Sequence, residues 1–300
     1  MKTALRLIAV ACATSSLAAV AADLRITDDT GAALHLKQPA QRIVSLAPHL
    51  TELLFAAGAG SKVVGVVSYS DFPEAAKALP QVGSYTNVDM EALAALKPDL
   101  VVAWKSGNRN AHLDRLSALG IPLFINEPRN LDDVARALET FGELAGTSAE
   151  ARTAAARFRA RLTSLRSRYS TLPPVRTFYQ VWDRPLMTIN GEHLIGDVIR
   201  LCGGENVFAD LPQLAPTVNA ESVLAANPEA IVASGMGDAR PEWLDQWRRW
   251  PSISAVAGDN LFFIPPTIIQ RHTPRILDGA SRLCEQLDEA RRRRPQNRLK

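Results

Sequence analysis

Three hundred residues, 47% of them hydrophobic, are enough for two lobes of about 120 residues, each with its own core. The formal charge of +3 sits at the ends: Lys2 and Arg6 open the chain and six basic residues crowd RRRRPQNRLK, so residues 23–290 are acidic on balance. With no basic patch in the body, a nucleic-acid-binding role is excluded.

In chain order, Lys2 and Arg6 precede the apolar run IAVACATSSLAAVAA, which ends in small residues. Residues 1–22 therefore read as a signal peptide, with cleavage after Ala21 or Ala22 and export of the remainder. The run is too short and too rich in Ala and Ser for a membrane span. A lipid anchor at Cys12 is disfavoured, because the apolar run before it is short and the preceding AVA lacks the usual Leu. With Cys12 removed, Cys202 and Cys284 remain, an even pair in an oxidising compartment. A disulfide is expected there, with two buried free thiols the alternative.

Residues 23–146 form the first α/β unit. LRITDDTGAALHLKQPA alternates around Asp-Thr-Gly, a hairpin signature. RIVSLAP is a buried strand, and a helix from about His49 to Ala57 can stop at Gly58. VVGVVSYS and LVVAW are further strands; MEALAALK between them is a helix closed at Lys97-Pro98, since a residue before Pro is pushed out of the α region. HLDRLSALG and LDDVARALETFGELAG are helices flanking the strand PLFIN. Residues 147–172 hold a 24-residue stretch without Gly or Pro, TSAEARTAAARFRARLTSLRSRYS. A capping box of Thr147 and Glu150 should start a helix there, with Phe158, Leu162, Leu165 and Tyr169 as its apolar stripe and a length of about 36 Å.

Residues 173–290 begin a second series with RTFYQVW, then HLIGDVIRLCGG, AESVLAANPEAIVA, a Trp-rich helix in PEWLDQWRRW, the strand LFFIPP and a helix from about Pro274 to Ala290. Residues 291–300 read as a solvated, disordered basic tail. Short apolar strands alternating with helices give the fold class as α/β, two parallel-sheet lobes joined by one long rigid helix. A stiff joiner should permit only limited lobe closure.

MEALAALKPDLVVA (90–103) and AESVLAANPEAIVA (220–233) are the same pattern twice, each with Glu second and Pro ninth. A carboxylate in a first helical turn is favoured by the helix dipole by about 0.3–1 kcal/mol, and that alone could account for either Glu. Recurrence adds something a cap does not need: Glu91 and Glu221 at equivalent places could meet two arginine pockets of a two-fold partner.

Loops at strand ends facing the gap between the lobes are where a ligand would bind. The candidates are Tyr69, Tyr85, Trp104, Trp182 and Arg271, able to cover a broad planar ligand by stacking and cation–π contact. The alternative is that these aromatics close the lobe cores. The five His residues show no i, i+3 or i+4 spacing, so no metal site is expected. With no nucleophile elbow, dinucleotide fingerprint or phosphate loop, no enzymatic activity is expected either.

RIVSLAP with TELLFAAG, VGVVSYSDFP, ALKPDLVVAW with GN, LCGGENVF and TPRI carry a family likeness. From Arg42 to about Asp288 the chain resembles the helical-backbone solute-binding proteins of bacterial ABC importers, the cobalamin binders among them most closely. That resemblance implies a protein of the periplasm, monomeric when free, that holds a corrinoid between its lobes and delivers it to a permease dimer in the inner membrane. It implies that Glu91 and Glu221 match permease-docking glutamates, that Cys202–Cys284 matches a family disulfide, and that Tyr69, Tyr85, Trp104 and Arg271 match ligand contacts. Against the cobalamin binders, Tyr85 replaces a Trp, Thr267 an Asp and Ala215 a Trp. Haem, with Tyr85 as iron ligand, and a ferric siderophore, held by Arg271, are the alternative cargoes.

Overall fold

The computed structural model describes residues 23–235 and 237–294. The expected signal peptide, Cys12 and the last six residues of the basic tail lie outside the described residues.

A hairpin of β1 (Leu24–Thr27) and β2 (Ala33–Leu36) leads in, its turn held by Asp28 Oδ1, which accepts from the amides of Thr30 and Ala32. The first lobe follows as β3 (Ile43–Ser45), α1 (Pro48–Ala56), β4 (Val63–Gly65), a small hairpin of β5 (Gly83–Ser84) and β6 (Asn87–Val88), α2 (Met90–Ala95), β7 (Leu100–Trp104), α3 (Asn110–Ala118), β8 (Leu123–Asn126) and α4 (Leu131–Ala145). Helix α5 (Ser148–Tyr169) crosses to the second lobe. There the chain forms β9 (Val175–Gln180), a hairpin of β10 (Trp182–Asp183) and β11 (Leu186–Met187), α6 (Leu194–Leu201), β12 (Gly204–Asn206), α7 (Ala220–Ala226), β13 (Ala230–Ala233), α8 (Ser254–Ala257), β14 (Leu261–Phe263), α9 (Pro266–Ile269) and α10 (Ile276–Arg292).

Each lobe holds a four-stranded parallel sheet, β4-β3-β7-β8 and β12-β9-β13-β14. In both, the first strand in sequence takes the second place and the next strand its outer edge. The likeness extends to the repeat itself. Asp89 caps α2 and Asn219 caps α7. Lys97 and Asn227, each before a Pro, end those helices in the left-handed region at φ 47° and 41°. Arg42 donates to the carbonyls of Leu96 and Lys97, and Arg176 to that of Ala226, so each lobe uses an arginine to satisfy the end of the equivalent helix. Asp99 accepts from the Arg42 amide and Glu229 from the Arg176 amide, completing both clasps.

The joiner is built by burial. Ala151, Ala154, Ala155, Phe158, Leu162 and Tyr169 are buried on one face of α5, with Leu165 half-buried beside them. Gly142 lets α4 approach: a Cβ there would stand 2.2 Å from that of Ala151. One continuous apolar cluster runs through both lobes, from Leu50 and Phe141 past Phe158 to Val198 and Leu277, while separate clusters lie under the other face of each sheet. Cys202, at the end of α6, and Cys284, on α10, are joined by a disulfide.

Three local expectations are corrected. Thr147 does not form a capping box; its hydroxyl donates to the Ala57 carbonyl at 2.7 Å, tying the joiner to α1, while Asn130 and Asp133 form a capping box on α4. Within PEWLDQWRRW, Glu242–Arg249 is a 3₁₀ helix, and its i and i+3 residues Leu244 and Trp247 are buried together. Residues 291–294, expected to open a disordered tail, are instead packed on the second lobe. Arg291 donates to the carbonyls of Pro173, Cys202 and Gly203, and Arg294 to Glu229, so the chain is anchored through Arg294.

Candidate functional site

The carboxyl ends of both sheets carry the candidate residues. Trp104 ends β7, and its amide donates to Asn108 Oδ1 at 2.7 Å. Asn108 is buried, and its amide group donates to the carbonyls of Leu46 (2.9 Å) and Tyr85 (2.7 Å). One side chain thus ties the ends of β3 and β7 to the loop bearing Tyr85. Gly107 is required beside it, since a Cβ would fall 1.8 Å from the Trp104 ring. Tyr85 leans over Trp104 with ring centroids 6.1 Å apart and 38% of its surface exposed. The loop after β4 is joined to this one through the Ser68 amide, which donates to Gly83 O. It presents Tyr69 at φ 65° and 75% exposed, with Phe72 also exposed.

Arg271 approaches that loop from the second lobe. Its Nη1 donates to Glu52 Oε1 (2.7 Å) and Asp71 Oδ1 (2.6 Å), and its Nη2 to the Tyr69 carbonyl (3.2 Å). Arg275 grips the same glutamate, Nε to Oε2 at 2.9 Å and Nη2 to Oε1 at 2.7 Å. Burial opposes the charge of Asp71, but the Arg271 hydrogen bond and charge outweigh it and hold the carboxyl below its ordinary value. Burial likewise works against Arg271, and Asp71 with Glu52 overcomes it, raising the guanidinium above its usual value.

Beneath the aromatic floor three imidazoles meet at the seam between the lobes. His49, in the first turn of α1, stands 5.0 Å from Trp104 and 5.1 Å from His272; His193, the N-cap of α6, stands 6.0 Å from His272. Burial, helped by the Arg271 charge, pushes His49 down to about 3, and burial with Arg129 pushes His193 down to about 4. His272 is held well below its ordinary value by burial, then by His49, His193 and Arg129. All three are neutral near pH 7. The void beside them, lined by Trp104, Glu127, Arg129, His193, Leu214 and His272, measures about 20 Å³, room for a water.

The structure thus brings together Tyr69, Tyr85, Trp104 and Arg271. Trp182 sits at the carboxyl end of β9, half-buried, its indole donating to Arg184 O at 2.9 Å, and is not among the rings packed with Trp104. Glu91 and Glu221 are exposed in the first turns of α2 and α7. Each helix leads into the next strand of a parallel sheet, so both glutamates lie toward the carboxyl ends of the strands, the side of the cleft. Sequence reasoning missed Glu52, Arg275, Asn108 and the three histidines. TPRI and GN put the second and third of these within the stretches that carry the family likeness, without giving them a role or a partner.

Comparison with known proteins agrees with this architecture. Residues 43–268 match the periplasmic binding protein family. Over 250 residues the chain is 40% identical to the vitamin B12-binding protein of Yersinia pestis (strain Pestoides F), covering 83% of this chain and 87% of that one. The periplasmic vitamin B12 binding protein BtuF of Vibrio cholerae has a similar crystal structure, with TM-score 0.78 and 36% identity over 84% of this chain and 98% of that one. A periplasmic heme binding protein from Pseudomonas aeruginosa matches at TM-score 0.71 and 25% identity, over 82% of this chain and 91% of that one. The family match runs from the first inner strand of one lobe to α9 of the other, and the chain belongs to the periplasmic binding protein family.

Proposed function

We propose that this protein is the periplasmic receptor of an ABC importer, exported through residues 1–22 as a monomer, and that its cargo is a corrinoid, vitamin B12 (cobalamin). The observation that carries the reading is the pair of exposed rings Tyr69 and Tyr85 on two joined loops, with Tyr85 against the half-buried Trp104, on a chain 40% identical to a vitamin B12-binding protein. A corrin is a broad disc edged with amides. Its apolar face suits exposed rings, and its rim suits the remaining donors of Arg271. The void of about 20 Å³ beside the histidines is far too small for it, so in this reading the cargo rests across the cleft mouth, with Trp182 contributing from the second lobe.

Glu91 and Glu221 are the docking points in this reading. Their exposure, their equivalent places in two like lobes and their common side support pairing with two arginine pockets of a two-fold permease. The protein's role is capture and delivery without chemical change of the cargo. Isothermal titration with cyanocobalamin, haem and a ferric-siderophore panel tests the cargo assignment. Cyanocobalamin should bind on the order of 100-fold more tightly than the others, about 2.7 kcal/mol. Preference for haem or a siderophore would overturn it.

A further inference from the structure

We infer that Glu52, Arg271 and Arg275 form a cross-lobe clamp that sets the position of the Tyr69 loop, with Glu52 and Arg275 acting as positioning residues for cargo they do not touch. Glu52, on α1 of the first lobe, is 3% exposed, and both of its oxygens are taken by arginines of the second lobe. A buried carboxylate without a structural partner is strongly disfavoured, so Glu52 and the two arginines must be read as one unit.

What that unit holds is the loop. Arg271 reaches the carbonyl of Tyr69 and the carboxylate of Asp71, and the Arg275 guanidinium carbon lies 4.0 Å from the Phe72 ring centroid. From below, Thr51, the neighbour of Glu52 on α1, places its hydroxyl 3.2 Å from that of Ser70. Residues 69 to 72 are thus each touched by the Thr51-Glu52 pair or by an arginine seated on it, in addition to the Ser70 amide's bond to the Val67 carbonyl within the loop.

The loop needs holding. Tyr69 carries a Cβ in the left-handed region, a conformation that persists only where the surroundings over-determine it. Tyr69 is 75% exposed and is not part of the core, so that conformation serves something outside the fold. A ring fixed in advance binds without losing rotational freedom at the moment of capture. The clamp also reassigns Arg271. With Nη1 shared between two carboxylates and Nη2 on a carbonyl, it works first as a strut and only then as a rim donor.

The assignment of cargo rests on the proposed function, so the test has one arm without cargo. In ligand-free protein, amide hydrogen exchange at Ser70 and Asp71 should quicken by about tenfold in Arg275→Ala and by less in Arg275→Lys, which keeps the charge but loses the fork. Unchanged exchange overturns the clamp whatever the cargo is. The second arm is a double-mutant cycle on cyanocobalamin affinity. Arg275→Ala should weaken binding by about tenfold with Tyr69 present and by less than twofold in a Tyr69→Ala background. The fall in melting temperature should be the same in both backgrounds. An equal loss of affinity in both would mean that Arg275 serves only general stability, and the inference would fail. Failure of the unaltered protein to bind cyanocobalamin would instead sink the proposed cargo and leave the exchange arm to decide the clamp.

Discussion

Acidification from pH 7 to pH 5 should destabilise this protein through three rings at its seam. His49, His193 and His272 are neutral in the folded state, held down to about 3, to about 4 and well below the ordinary value, while in the unfolded chain each returns to 6.5. Between those values the unfolded state binds more protons, so stability is complete above about pH 6.5 and is lost as pH falls toward the folded values. For one such histidine the loss between pH 7 and pH 5 is about 2 kcal/mol, and for three about 5–6 kcal/mol. Total stability is typically about 5–15 kcal/mol, so the effect is large. The surroundings offer little relief: Arg271 faces His49, Arg129 faces His193 and His272, and Glu127 across the small void is already beside Arg129. His193 has a further reason to resist, since its Nδ1 accepts the Ile195 amide at 3.1 Å and a proton there would abolish the cap of α6. Urea unfolding at pH 7, 6 and 5 measures the term. His272→Gln should reduce the loss over that span by about 2 kcal/mol, as should His49→Gln. If both variants lose as much as the unaltered protein, the rings titrate normally and the seam is hydrated.

Two further outcomes follow from the architecture. Glu91→Ala with Glu221→Ala should leave cyanocobalamin affinity intact and abolish association with permease in detergent or nanodiscs; unchanged complex formation would refute the docking proposal. Cys202→Ala with Cys284→Ala should lower stability by about 4 kcal/mol, because the bridge closes a sequence separation of 82 residues, and an unchanged unfolding midpoint would show the link to be dispensable.

The parts of the fold legible in the sequence are those written in short-range pattern. The repeat announced its helix, its stop and its strand in both lobes, because Pro98 and Pro228 punctuate locally. The Gly-free and Pro-free run announced α5. What failed needed a partner distant in sequence. Thr147 looked like a cap until Ala57, 90 residues earlier, proved to be its acceptor. Glu52 looked like one more polar residue on α1, since its arginines lie 219 and 223 residues away. Arg271 was legible as a cleft residue, but its partners were not. The histidines were the nearest miss: HLTELL and HLIGDV begin equivalent helices, and the shared His-Leu brings His49 and His193 each against His272 at the seam.

That last pair exposes a division of labour within the doubled frame. The elements that recur in both lobes are the strand order, the arginine clasps of Arg42 and Arg176, the left-handed helix ends and the first-turn glutamates. The elements that do not recur are the cleft surfaces themselves: the first lobe supplies Tyr69, Tyr85 and Trp104, and the second supplies Arg271, with Arg275 behind it on Glu52. A cargo without two-fold symmetry cannot be met equally by both halves, whereas a permease dimer can. Under the proposed function, then, the first-turn glutamates are the part of the recurring set that faces the dimer, the clasps at the other ends of their helices hold the frame, and what the repeat let diverge is what faces the corrinoid. Substitutions should sort the same way. Changes at Glu91 and Glu221 should alter delivery to the permease without altering cargo affinity, and changes at the cleft should do the reverse.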